Sequence, residues 1–191
     1  MEFVIRKIHL RTSVLVLLII AVASIRLIPH IPNFSPFAAI GLFGVSHFQK
    51  KWQAFCIPII SIWISDLIIN NFLYGYYFPN FILFYKGFYW QYGSYILIMI
   101  TGHFLLKTVT VKKMVIASLL SSVLFFIITN FGCWPGSPFY TQDINGLLLC
   151  YTAGLPFLKG SIAGDLFYSG FIFGSFYLLK QKFPQLRINH A

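Results

Sequence analysis

Long apolar segments separated by short polar or basic stretches dominate the pattern of this chain. A membrane-spanning helix needs roughly 20 mostly apolar residues, with a working range of about 17–25. Six segments approach or meet that length, and the pattern therefore predicts six transmembrane helices. They lie at residues 12–28, 36–48, 52–73, 93–106, 114–131 and 158–179. The second and fourth are short for a full crossing, and the fourth allows an earlier start within the aromatic stretch before it.

Composition agrees with a membrane environment. Hydrophobic residues make up 58% of the chain and charged residues only 9%, whereas a soluble domain has about 25% charged residues. So few charges cannot cover a water-facing surface, which argues against a soluble enzyme, a disordered chain and a nucleic-acid-binding domain. We therefore expect one all-α integral membrane domain over residues 1–191.

The basic residues predict the orientation of that domain. Lys and Arg collect in cytoplasmic loops. If all six segments cross, eleven of the fourteen basic residues fall on one side, together with both termini. This places the N and C termini in the cytoplasm, and it explains the net charge of +10 by orientation and attraction to anionic lipid rather than by nucleic acid.

The N-terminus has a second interpretation. Arg6, Lys7 and Arg11 precede an apolar run that reaches Ala-Val-Ala at residues 21–23. A basic start, an apolar core and small residues at a cleavage position are also typical of a secretory signal peptide. The apolar run continues to Ile28, which favours a retained first helix.

Three ionisable residues lie within the predicted spans: Arg26, Asp66 and Asp165. A charge in the bilayer core costs several kcal/mol, so such residues are functional candidates. All three lie in the half of the membrane away from the cytoplasm, and we expect Arg26 to pair with Asp165, Asp66 or both. The cluster could clamp helices together or form the floor of a ligand site, and the sequence leaves both interpretations open.

Further polar residues gather at the same face. His30 lies between Pro29 and Pro32, which restrict the backbone around it. Asn33 follows, and Asn70 ends the third segment. These side chains could face a pocket or the lipid headgroups. The predicted substrate-binding residues are Arg26, His30, Asn33, Asp66, Asn70 and Asp165.

Two connections on that side are unusual. Residues 72–95 contain thirteen aromatic side chains, which suit either an interfacial belt or a lid over a pocket. Residues 132–157 are rich in Gly and Pro and predict a long structured loop. That loop would hold Cys133 and Cys150, and the sequence does not decide whether they pair. Cys56 is expected in the core.

The sequence offers little for catalysis. It contains no H-E-x-x-H, no Walker A motif and no G-x-G-x-x-G. We therefore expect neither an enzyme nor a bound metal or cofactor.

Two stretches carry a family resemblance. R-L-I-P-H-I-P-N-F-S-P-F-A-A at residues 26–39, and L-P-F at 155–157 followed by G-D-L-F at 164–167, resemble the signature of an uncharacterised group of small six-helix bacterial membrane proteins. That group is allied to the substrate-binding S components of energy-coupling-factor (ECF) vitamin transporters. The resemblance implies six helices around a pocket open to the outside of the bacterial inner (plasma) membrane. It also implies uptake of a vitamin or a similar small micronutrient.

One departure from S components concerns partners. Their first helix usually carries small residues four apart, which dock on an energising subunit. Here Leu17 precedes Ala21 by four residues, so coupling to an ECF-type energising module and solitary import both stay open. A structural or assembly subunit of a larger membrane complex is the alternative function, and an intramembrane enzyme is a third.

Overall fold

Six α-helices form most of the described chain. The structure, a computed structural model, describes residues 2–28, 31–77 and 80–187, with no strand among them. The helices are α1 (Glu2–Ile25), α2 (Phe37–His47), α3 (Lys51–Ile68), α4 (Phe88–Leu105), α5 (Val111–Cys133) and α6 (Ile144–Lys182). A π-helical turn, Ile69–Leu73, extends α3, and short 3-10 turns lie at Gly75–Tyr77 and Pro184–Leu186.

Four helices are long and apolar enough to cross a membrane: α1, α3 with its π-helical turn, α5 and α6. The predicted membrane-helix character is therefore confirmed. Helix α2 is apolar but has only 11 residues. Helix α4 has 18 residues, but it opens with aromatic and polar side chains that lower its mean hydropathy. Six crossings stay a prediction for this reason.

The last helix differs most from its predicted bounds. It has 39 residues and begins at Ile144 rather than at residue 158, so most of the loop predicted over residues 132–157 is helical. Asp143 caps this helix, because its carboxylate accepts a hydrogen bond from the Gly146 amide at 2.8 Å. Thr141 Oγ1 donates to the same carboxylate at 2.7 Å. At about 1.5 Å per residue α6 is roughly 58 Å long, well beyond a hydrocarbon core of about 30 Å.

Helix α2 lies at the centre of the bundle. It contacts every other helix, and ten of its eleven residues are buried. Glycines permit the close approach: a Cβ on Gly41 would lie 2.8 Å from the Tyr95 ring, and one on Gly102 of α4 would collide with Leu42. A helix that is apolar on all sides is typical of a position surrounded by other helices. Helix α2 is therefore a buried central helix, although it is too short to span a membrane by itself.

Successive helices run in opposite directions, so distant polar residues meet at two ends of the bundle. We name these the Arg26 end and the basic end. A cavity at the Arg26 end gathers Arg26, Asn33, Ile69, Gln91 and Asp165. A cavity at the basic end gathers Arg11, Gln49, Lys107, Lys180 and Arg187.

Candidate binding cavity at the Arg26 end

Arg26 forms an ion pair with Asp66. Its Nη2 atom lies 2.6 Å from Asp66 Oδ1, and the two side chains are only 9% and 10% exposed. The other terminal nitrogen, Nη1, donates to the carbonyl of Ile62 at 3.2 Å and to the hydroxyl of Ser65. The pair therefore fastens the end of α1 to α3. Of the two partners predicted for Arg26, the structure selects Asp66, and no ion pair with Asp165 occurs among the described residues.

The second oxygen of Asp66 is also engaged. The Tyr92 hydroxyl of α4 donates to Asp66 Oδ2 at 2.7 Å, so a single carboxylate joins α1, α3 and α4. Tyr85, in the loop before α4, has a buried hydroxyl with no partner among the described residues. Burial, and then the negative charge of Asp66, raise the pKa of Tyr85, which keeps this phenol neutral beside the ion pair.

Asp165 lies apart from that cluster, on α6. It is buried, and its Oδ2 accepts a hydrogen bond of 2.6 Å from the Ser122 hydroxyl of α5. Ser118 and Ser169 form a further buried hydrogen bond between the same two helices, at 2.9 Å. A line of small polar groups thus joins α5 to α6.

The loop between α1 and α2 rests directly on α6. A Cβ on Gly164 would lie 2.8 Å from the Ser35 nitrogen and 3.0 Å from Phe34 Cα, and one on Gly160 would collide with the Pro32 carbonyl. Asn33 has a φ of 59°, a left-handed conformation that Asn tolerates better than most residues. Phe34 and Ser35, from the first stretch that carries the family resemblance, therefore pack against Gly164 of the second.

Between this loop and the helices lies a cavity of about 240 Å³. Three of the predicted substrate-binding residues line it: Arg26, Asn33 and Asp165. The other lining residues are Ser35, Phe37, Ala38, Ile69, Gln91, Ile98, Phe125 and Ser161. The cavity thus combines an apolar wall with a carboxyl group, two amides, two hydroxyls and a paired guanidinium.

The remaining predicted residues have other positions. Asp66 lies behind Arg26 and is not a lining residue. Asn70 does not line the cavity either, although its neighbour Ile69 does. The adjacent Asn71 instead holds the loop before α4, since its Oδ1 accepts from the Ile82 amide at 2.7 Å. His30 lies outside the described residues.

Sequence reasoning missed Gln91, Ser35 and Ser161 among the polar lining residues. Ser161 was readable, because a residue four positions before Asp165 shares its face of a helix. No such signal marked Gln91. It lies in the aromatic stretch at residues 72–95, which was interpreted as an interfacial belt or as a lid over a pocket from its aromatic side chains alone. Six of the eleven aromatic side chains that the structure describes there are exposed, for example Phe81 at 66% and Tyr89 at 60%, whereas Tyr95 is fully buried.

The cysteines of the described ranges form no disulfide. All three cysteines are free. Cys150 is buried and its thiol donates to the Asn130 carbonyl at 3.4 Å. Cys56 is exposed on α3, so its expected place in the core was wrong; a side chain facing lipid has no need to be polar. No group of three or more His, Cys, Asp or Glu side chains that could hold a metal occurs within 8–28, 31–76 and 80–187.

Comparison with known proteins gives one family match. No curated protein and no solved structure matches the chain. Residues 6–186, which include the whole cavity, match the family described as "Family of unknown function (DUF6580)". Because the match covers nearly the full length, the chain belongs to this family.

Proposed function

We propose that this protein binds a small polar micronutrient in the cavity at the Arg26 end and takes it up across the membrane, as S components do. The observation that carries the proposal is the cavity itself, where Asp165, Asn33 and Gln91 converge beside an apolar wall. Polar groups that converge beside apolar side chains are the usual form of a small-molecule site.

The cavity also restricts the ligand. Small-molecule pockets commonly measure about 300–1,000 Å³, and this one holds about 240 Å³. The ligand is accordingly compact. Phe37 and Phe125 offer flat apolar contact, whereas the Asp165 carboxyl and the amides of Asn33 and Gln91 offer hydrogen bonds of both kinds. A small heteroaromatic molecule with donors at its edge suits this lining.

The orientation belongs to the same proposal. The basic end would face the cytoplasm of a bacterium, as the positive-inside rule requires, and the cavity would open outward. Helices α2 and α4 would complete six crossings inside the bundle, where they contact each other and their longer neighbours. Leu17 and Ala21 lie on the exposed side of α1, so this face could meet an energising module or only lipid.

Native mass spectrometry of the protein extracted gently from its own membrane tests the proposal. We expect the intact chain to carry an adduct of a few hundred daltons. Asp165→Asn and Gln91→Leu should lose the adduct, because each alters a lining polar group. Gln53→Leu is the matched control, since Gln53 lies on α3 outside the cavity.

The retained adduct would then be identified and its labelled form offered to proteoliposomes. Uptake that Asp165→Asn abolishes and Gln53→Leu preserves would support transport. An adduct that survives both cavity variants, or a bare chain in native membranes supplied with water-soluble vitamins, would contradict the proposed site.

A second candidate is a structural subunit of a larger membrane complex. The Arg26–Asp66 pair favours it, because both charges are satisfied inside the chain and act as a helix clamp. Under that function the same extraction would yield stoichiometric protein partners and no adduct. The cavity and the separate position of Asp165 favour the first candidate.

A further inference from the structure

The basic end contains a second cavity, of about 450 Å³, with a different electrostatic character. Four cationic side chains line it: Arg11, Lys107, Lys180 and Arg187. Within the part of the chain whose side chains the structure describes, no carboxylate lies with them. Like charges that line one cavity repel each other, so a bound anion would stabilise this arrangement.

Two of these cations share one aromatic ring. The ring of Phe176, fully buried, lies 5.6 Å from the guanidinium carbon of Arg11 and 5.2 Å from Lys180 Nζ. The ring of His47 meets the same phenyl group at 4.9 Å between centres. The Nε atom of Arg11 is buried and has no hydrogen-bond partner in the described chain. The Phe176 ring therefore positions Arg11 and Lys180, and Arg11 keeps one N–H group that is free to donate a hydrogen bond.

Arg187 is positioned by one hydrogen bond to the backbone and one to a side chain. Its Nε donates to the Lys180 carbonyl at 2.9 Å, and its Nη2 donates to Gln181 Oε1 at 3.0 Å. Leu186 beside it is buried against α1 and α6. The 3-10 turn after α6 thus places the Arg187 guanidinium at the cavity.

An apolar furrow adjoins this cavity. A third cavity, of about 470 Å³, shares His47, Val109 and Lys180 with the basic one and continues between α5 and α6. Its floor includes Gly170 and Gly174, where an added Cβ would have no neighbour within 4 Å. Met114, Phe173 and Tyr177 form its walls. The cavity that the four cationic side chains line is thus continuous with this apolar furrow.

We propose that this end binds an anionic phospholipid, with the phosphate among Arg11, Lys180 and Arg187 and an acyl chain in the furrow over Gly170 and Gly174. Basic pockets between membrane helices suit lipid head groups, and guanidinium groups bind phosphate oxygens through paired hydrogen bonds. Free phosphate would satisfy the same cations, but it would leave the furrow unused.

The test uses the full-length chain, delipidated in neutral detergent and offered equimolar phosphatidylglycerol and phosphatidylcholine, with retained lipid counted by native mass spectrometry. We expect selective retention of phosphatidylglycerol. Lys180→Gln with Arg187→Gln should weaken retention roughly 25-fold, since each basic residue near a membrane contributes about fivefold. Gly174→Leu should weaken it roughly 15-fold, the value for a leucine that displaces two methylene groups of the acyl chain.

Matched controls separate the site from general effects. Lys112→Gln removes an exposed charge at the same end but outside both cavities. Gly93→Leu adds the same side chain on α4, where space is also open. Both should retain lipid as the wild type does, and unchanged elution and thermal midpoints show that each variant is folded. If the double variant does not fold, Arg187→Gln alone keeps the test, because Arg187 is exposed.

A separate arm offers millimolar inorganic phosphate without lipid. Thermal stabilisation by phosphate that Gly174→Leu leaves unchanged, combined with equal retention of both lipids, would overturn the phospholipid assignment in favour of free phosphate. Equal losses of phosphatidylglycerol in the site and control variants would overturn the site itself.

Discussion

The two ends of the bundle treat positive charge in opposite ways. At the Arg26 end a buried guanidinium meets a carboxylate at 2.6 Å, and a tyrosine hydroxyl satisfies the remaining oxygen. At the basic end, cations converge on Phe176 without a described carboxylate. A satisfied charge joins helices within the chain, whereas a group of like charges is the basis for the anion site that we propose. The residue type alone does not separate these roles.

Helix α6 repeats this contrast in its glycines. Gly160 and Gly164 are covered by the loop between α1 and α2, and a side chain at either would strike backbone. Gly170 and Gly174, with the same spacing, face open space. Gly160 and Gly164 are therefore needed for packing within the chain. Gly170 and Gly174 leave an open surface, where we propose that a lipid acyl chain binds.

The largest expected effect comes from breaking the internal ion pair. Arg26→Gln leaves the Asp66 carboxylate buried and unpaired, and removal of one partner of a buried pair typically costs about 3–5 kcal/mol. We expect that loss in the free energy of unfolding measured in mixed micelles. Lys107→Gln, at the basic end, should be neutral or slightly stabilising in the absence of lipid, because it relieves repulsion.

The double variant Arg26→Gln with Asp66→Asn sharpens this prediction. It removes both charges and should recover much of the lost stability. A double variant as unstable as the sum of its single variants would mean that the two residues do not act as a pair.

Next in size is the covered glycine pair. Gly164→Ala places a Cβ against the backbone of Phe34 and Ser35, and overpacking of this kind costs about 1–3 kcal/mol. Thermal midpoints should show the loss. Gly170→Ala should be neutral or stabilising, because Ala favours helix and meets nothing there. Equal effects at both positions would remove the distinction between the two pairs.

A loss within the same range is expected at Tyr92. Tyr92→Phe removes the hydrogen bond to Asp66 Oδ2 while leaving the ion pair in place, and a hydrogen bond to a charged group contributes about 1.5 kcal/mol or more. Chemical unfolding should report this difference. Tyr89→Phe is the control, since Tyr89 is 60% exposed, and it should not change stability.

The smallest effect on stability is expected at Asp143, the N-terminal cap of α6, which lies in neither cavity. Hydrogen bonds from the Gly146 amide, and then from Thr141, lower the pKa of Asp143 below its usual 3.8. A lowered pKa in the folded state means that the cap stabilises the helix above about pH 3.8, and that this contribution is lost as the pH falls through the folded value. The carboxyl carbon shift of Asp143 should titrate below 3.8, and Thr141→Ala should bring it closer to that value.

Much of the bundle follows from local pattern. Apolar runs of sufficient length predict α1, α3, α5 and the second part of α6, because lipid allows only helices with internally satisfied backbones. The start of α6 was missed, since the Gly and Pro residues at 132–146 suggested a loop. The Asp143 cap and the packing of Gly154 against Asn130 make this stretch helical. The contact between Gly154 and Asn130 joins two different helices, so it cannot be predicted from the local sequence.

The sequence by itself determined that the chain is helical and apolar, that its positive charge gathers between alternate helices, and that Arg26, Asp66 and Asp165 are candidates. Only the tertiary structure decided which carboxylate Arg26 binds, that Asn33 and Asp165 share a cavity with Gln91, and that Arg11 and Lys180 share the ring of Phe176. The reason is physical. Helix formation depends on neighbours within a few residues, whereas pairing of charges depends on how helices far apart in sequence rotate and pack against α2.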